Sequence, residues 1–131
     1  MTGIRSVLFD FDGLLANTEP LHFETFLKVL AENDVFLPPG TEQSDFTGIH
    51  DRASFRKAFR KVGRSIEPDR VEELVDRKSA LYLEEAEKIE LFEGVRELLD
   101  SIPAGLPYTI ASGGRRMDIL AVLRRHGLAE R

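Results

Sequence analysis

The chain has 131 residues, enough for one ordinary domain or a small core carrying one insertion. Hydrophobic residues make up 42% and charged residues 31%, the balance of a soluble globular protein. The net charge of −5 argues against a nucleic-acid partner, whose phosphates want a basic face. The absence of cysteine excludes disulfides and thiolate metal sites and suits the reducing cytoplasm. No apolar run approaches the roughly 20 residues that span a membrane, and the start, Met-Thr-Gly-Ile-Arg, lacks the pattern of a signal peptide.

In chain order, residues 4–9 (IRSVLF) read as a buried strand that ends in Asp10-Phe11-Asp12-Gly13, a tight loop. A helix follows over 19–33, with Pro20 in its first turn and Leu21, Phe26, Val29 and Leu30 near helical spacing. The run FLPPG at 36–40 breaks it, a short helix covers 42–47, and GIHD at 48–51 reads as a turn. The next helix ends at Gly63 and puts Phe55, Ala58, Phe59 and Val62 on one face. The longest, 68–88, carries Val71, Leu74, Val75, Lys78, Leu81 and Tyr82 in register. A short helix at 94–101 and the turn cluster PAGLP lead to a second strand, 108–112, which opens into Gly113-Gly114. Last comes an amphipathic helix with Ile119, Leu120, Val122 and Leu123 inward. A strand–helix–strand unit needs only about 30 residues. The excess between Thr18 and Leu91 therefore reads as a helical lobe inserted into an α/β core of parallel strands.

In open α/β sheets ligands sit at the carboxyl ends of strands. Both strands here end in small polar loops. Asp10 and Asp12 alternate along an extended stretch and can point the same way. Two carboxylates held close repel, which a hard cation or a shared proton relieves. One can attack an electrophile while the other manages the proton. Ser112 can donate a hydrogen bond, and the backbone N–H groups around Gly113 and Gly114 can cradle an oxyanion. Together these features suggest phosphoryl transfer. Taken singly, each has a plainer reading, since Asp-x-Asp is common and Ser-Gly-Gly is more often a turn.

The stretch VLFDFDGLLANTEPLH resembles the first motif of the haloacid dehalogenase-like (HAD) hydrolase superfamily: a hydrophobic strand, Asp-x-Asp-Gly, then a short run to Thr/Ser-Glu. The Pro-Leu-His that follows is similar to the subgroup with a helical cap, which contains β-phosphoglucomutase-like enzymes and sugar-phosphate or phosphoglycolate phosphatases. YTIASGG resembles the second motif. The resemblance implies an α/β fold, a HAD-like Rossmannoid core (1–17 and 92–131) with an inserted helical cap (18–91). It implies Asp10 as the nucleophile that forms an aspartyl-phosphate and Asp12 as general acid and base. Mg²⁺ would sit at Asp10 and Asp12, and Ser112 with Gly113 would hold the phosphoryl group of a small phosphorylated metabolite. His22 matches a histidine near the substrate in mutase-like members. Arg52 and Lys78 fall near cap positions that contact substrate, and each also reads as a solvated or salt-bridging side chain.

Three departures stand out. Ala16 stands where many relatives carry an acid, and Glu93 replaces a common proline. After Ser112 the chain has no lysine, and its only later acids are Asp118 and Glu130, whereas the family completes its site with a later lysine and an acidic pair. The expectation is therefore a first part of an active site, weakly active or inactive alone. A two-stranded core is a poor one and its apolar edge should be bare. The chain is thus expected to be a fragment, or to self-associate or meet a partner chain across that edge. A non-catalytic interaction module remains the alternative, and the helical insertion argues against a receiver-type domain.

Overall fold

The computed structural model describes residues 3–129 and has the α/β architecture expected. Strands β1 (Val7–Phe9) and β2 (Tyr108–Ile110) pair in parallel, with Val7 opposite Tyr108 and Phe9 opposite Ile110. Both are shorter than the sequence suggested: β1 starts only at Val7, leaving exposed Ile4–Ser6 outside it, and β2 ends at Ile110, where the chain turns into a polar loop at Ala111. Between them lie α1 (Glu19–Glu32), a 3₁₀ turn (Gln43–Asp45), α2 (Asp51–Lys61), α3 (Pro68–Glu85), a second 3₁₀ turn (Ala86–Lys88) and α4 (Val95–Ser101). Helix α5 (Arg116–Arg125) follows β2. The expected short helix at 42–47 is the 3₁₀ turn, and the expected helix 68–88 tightens into 3₁₀ geometry after Glu85. GIHD is a turn only through Ile49, since Asp51 already opens α2.

Local chemistry explains the helix boundaries. Pro20 and Pro68 sit in first turns, where a missing N–H costs nothing. Helix α1 stops where the Asn33 side chain bonds the Val29 carbonyl and Asp34 adopts a left-handed φ of 58°, which lets the Val35 N–H reach back to Leu30. Gly63, at φ 72°, ends α2 in the same way, with the Arg64 N–H on the Phe59 carbonyl.

Two apolar clusters result. Phe26, Val29 and Leu30 of α1 meet Phe55, Ala58 and Phe59 of α2 and Val71, Leu74 and Val75 of α3. The other cluster joins Phe11, Leu15 and Ala16 after β1 to Val95 and Leu99 of α4 and Val122 of α5. Helix α3 serves both, because Tyr82 near its end belongs to the second. Where the chain leaves for the helices and where it returns, it pairs with itself: the Asn17 N–H bonds the Glu90 carbonyl and the Phe92 N–H bonds the Leu15 carbonyl. Beside this, the sheet is thinly covered. Leu8 is 67% exposed and Ile4 78%, so β1 is half-buried rather than buried as its sequence suggested. No helix among the described residues is long and apolar enough to cross a membrane.

The hydroxyl of Tyr82 is buried with no hydrogen-bond partner, and an unpaired buried hydroxyl costs free energy. Tyr82→Phe is therefore expected to raise stability by about 1 kcal/mol, read as a higher urea midpoint with an unchanged slope. A lower midpoint would show that the hydroxyl has a partner in solution.

Candidate active site

The loops after β1 and β2 face the helices across a cavity of about 360 Å³. Asp10, Asp12, His22, Arg52, Lys78, Ser112 and Gly113 all line it, so every site residue inferred from sequence comes to one place. Asp10 is exposed there, and one carboxylate oxygen takes the Phe11 N–H at 2.8 Å.

Asp12 is held more tightly. Its Oδ1 accepts from the Thr18 hydroxyl at 2.6 Å and meets His22 Nε2 at 3.1 Å. On the far side of the ring, His22 Nδ1 lies 2.9 Å from the Lys78 ammonium, which also donates to Asp51 Oδ1 at 2.9 Å. An ammonium has only donors. Nδ1 must therefore accept, and the ring proton is on Nε2, donated to Asp12. Tyr82 stacks on the imidazole at 4.4 Å between centroids and fixes its plane. The line Asp51–Lys78–His22–Asp12–Thr18 thus joins the first residue of α2, then α3 and α1, to the loop after β1.

This line sets the protonation of Asp12. Burial pulls its carboxyl pKa upward, but hydrogen bonds from His22 and Thr18, with the Lys78 charge behind them, outweigh burial and hold it below the ordinary value. Neighbouring Glu19, which also lines the cavity, is shifted the other way, by burial and then by the charge of Asp12. Both hydrogen bonds to Asp12 use Oδ1. Its Oδ2 faces Gly114, where an added Cβ would come within 3.3 Å of it and 3.4 Å of Ser112 Oγ. At Gly114 the two loops thus approach closely. Its N–H donates to Ser112 Oγ at 3.0 Å, which leaves the Ser112 hydroxyl proton free for an anion.

Arg52 and Lys78 part ways. Arg52 is exposed and forms a two-pronged pair with Glu72. Lys78 is 2% exposed, and of its plainer readings, solvated or salt-bridging, the second holds: the ammonium sits inside, paired with Asp51 and against His22. Sequence reasoning assigned no role to Thr18, Asp51, His50, Arg115 or Asp118. Lys78 in an apolar stripe signalled a buried partner, yet Asp51 lies 27 residues away along the chain. Asp118 sits one turn before Val122 on the buried face of α5 and accepts from Ser79 at 2.7 Å, tying α5 to α3. Burial raises its pKa, partly offset by that bond. Glu130 lies outside the described residues.

The oxygen donors at Asp10 and Asp12 suit Mg²⁺ in kind. Among the described residues no group of three or more His, Asp or Glu side chains is placed to hold a metal. Mg²⁺ is commonly bound by one or two carboxylates together with substrate phosphate and water, so the pair fits when a phosphate is present.

The family model for haloacid dehalogenase-like hydrolases matches residues 7–131. No curated protein matches the chain significantly. Among solved structures, CbbY from Rhodobacter sphaeroides in complex with phosphate is 23% identical, with a TM-score of 0.81 over 98% of this chain and 60% of that one. A single-residue variant of CbbY bound to xylulose-(1,5)bisphosphate is 22% identical, with a TM-score of 0.81 and the same coverage. A HAD hydrolase of family IA from Entamoeba histolytica is 21% identical, with a TM-score of 0.80 over 97% of this chain and 57% of its own. The chain therefore spans less than two thirds of the structures that it matches.

Two acids of opposite shift make opposite predictions. The Asp12 pKa is lowered in the folded protein, so its contribution is present above the ordinary value of 3.8 and is lost as pH falls through the folded value. Thr18→Val should cost about 1.5–3 kcal/mol at pH 7, and the difference from wild type should shrink as Asp12 is protonated. The Asp118 pKa is raised, so its ionised form is penalised at neutral pH and relieved below the ordinary value. Asp118→Asn keeps an acceptor for Ser79, so it should stabilise the fold at pH 7 and lose that advantage near pH 3. Denaturant midpoints of both variants across pH check the two signs.

Proposed function

The chain belongs to the haloacid dehalogenase-like hydrolase family, and from that premise we propose that it carries the nucleophile side of a Mg²⁺-dependent phosphoryl-transfer site. The substrate is a small phosphorylated metabolite such as a sugar phosphate, handled by a phosphatase or phosphomutase. The observation that carries the reading is the unequal use of the two Asp12 oxygens. Oδ1 is occupied by Thr18 and His22, while Oδ2 faces the Ser112 loop in the cavity that Asp10 also lines.

In this reading an Asp10 oxygen forms a bond to phosphorus as the ester oxygen leaves, and the leaving oxygen takes a proton from Asp12. Water then gives its proton back to Asp12 and attacks the aspartyl-phosphate, which releases phosphate and restores Asp10. The resting Asp12 is ionised, and an arriving phosphate dianion raises its affinity for the proton that it must donate. Ser112 and the N–H groups of its loop hold the transferred group. Mg²⁺ at the Asp10 carboxylate and the Asp12 backbone carbonyl would neutralise phosphoryl charge. Residues 18–91 act as a cap on a core of 1–17 and 92–131. The self-pairing of the chain at Asn17–Glu90 and Leu15–Phe92 supports that division. The phosphate and xylulose-(1,5)bisphosphate held by CbbY support a phosphorylated ligand.

A second reading, a non-catalytic module completed by a partner or by further chain, is favoured by the exposed Leu8 face of the sheet. A beryllium fluoride titration with Mg²⁺, followed by fluorine NMR, separates them. The first reading expects an aspartyl-fluoroberyllate signal that Asp10→Asn abolishes. It also expects that substitution to lower aryl phosphate hydrolysis at least 10²–10³-fold. Hydrolysis that survives Asp10→Asn removes Asp10 as the nucleophile.

A further inference from the structure

The cavity has five side chains able to carry positive charge: His22, His50, Arg52, Lys78 and Arg115. Four are already committed. His22 donates to Asp12, Lys78 pairs with Asp51, Arg52 with Glu72, and Arg115 with Asp76 at 3.1 Å. The described residues give the His50 ring no hydrogen-bond or ion-pair partner. It is exposed on the cavity side and lies over the loop after β2: a Cβ built on Gly113 would stand 3.7 Å from both His50 Cε1 and Nδ1. Gly113 therefore leaves the space between the loop and the imidazole unfilled.

We propose that His50 is a phosphate-binding residue, donating from the helical side of the cavity to the oxyanion held by Ser112 and the Gly113–Gly114 backbone. The proposal rests on the phosphoryl-site reading above and adds a residue from the opposite wall. An imidazole N–H is a strong donor to a phosphate oxygen, and a protonated ring adds charge. Each of the other four already directs donors and charge at a carboxylate, whereas His50, among the described residues, has all of its side-chain hydrogen-bonding capacity uncommitted. Its backbone carbonyl starts α2 by accepting from the Ser54 N–H, and its side chain makes no cap bond. The ring can therefore be replaced without loss of the helix. The contact would also link α2 to the β2 loop through the ligand, so that phosphate draws the two walls together.

The test titrates inorganic phosphate into the labelled chain and follows the histidine ring and Ser112–Gly114 amide signals by NMR. His126 is the internal control, since its ring bonds the Ile89 carbonyl at 2.8 Å outside the cavity. The loop amides and the His50 ring should move together with one Kd while His126 stays still. His50→Ala should weaken binding about three- to tenfold, and His50→Gln, which keeps a donor, should recover most of the loss. Loop shifts with an unmoved His50 ring and wild-type affinity in His50→Ala would overturn this proposal and leave the phosphate-site reading intact. Loop amides that never respond would overturn both.

Discussion

A lysine ammonium that is 2% exposed cannot be left without partners, because desolvating a lone charge costs several kcal/mol. Lys78 meets that demand with Asp51 and His22, and the arrangement of the cavity follows from it. The three groups belong to α3, α2 and α1, so one charge ties together three helices that their apolar faces already pack above the strand ends. The consequence reaches the strand itself. Lys78 takes the Nδ1 lone pair of His22, the imidazole proton is forced onto Nε2, and that proton orients Asp12. The stacked ring of Tyr82 keeps the imidazole from turning away.

Much of this was legible in the chain. The order of elements, both strand ends and the apolar faces of α1, α2 and α3 follow from periodicity, because each helix buries a single stripe. Asp10, Asp12 and Ser112 were legible because a small polar loop after an apolar strand has one place to go in an α/β fold. What stayed hidden was pairing at long range. Nothing local to Asp51 announces a lysine on another helix, and Thr18, although it belongs to the first motif, does not show in sequence that its hydroxyl turns back to Asp12 six residues earlier. In the structure Thr18 is wholly buried and spends its hydroxyl on Asp12. The strand lengths were overestimated for a related reason. Apolar runs mark what is buried somewhere, and the described chain supplies few residues to cover the sheet.

Burial is therefore uneven. The aromatic cluster between α1, α2 and α3 is closed, with Phe55 and Val71 fully buried. The sheet side is open: Leu8 stands clear of the protein, and an apolar cavity of about 330 Å³ lies against Phe9, Ile110 and Leu123. Hydrophobic stabilisation scales with the apolar area removed from water. The helices thus hold each other more firmly than the two strands hold α4 and α5. The loops that bear Asp10 and Ser112 hang from the less well covered part, while the groups that orient Asp12 hang from the firmer one.

That division has a cost that packing alone would not incur. A buried ammonium with its carboxylate is often no more stabilising than apolar residues of the same shape. The site also keeps Asp118 buried against its preference for water. A chain that needed these positions only for its core would do as well with leucine or methionine at 78 and asparagine at 118. What the charges provide is a carboxylate held ionised, with one oxygen fixed by Thr18 and His22 and the other turned toward the Ser112–Gly114 loop. Such an arrangement spends stability on the protonation state of a single carboxylate, which packing alone would not require.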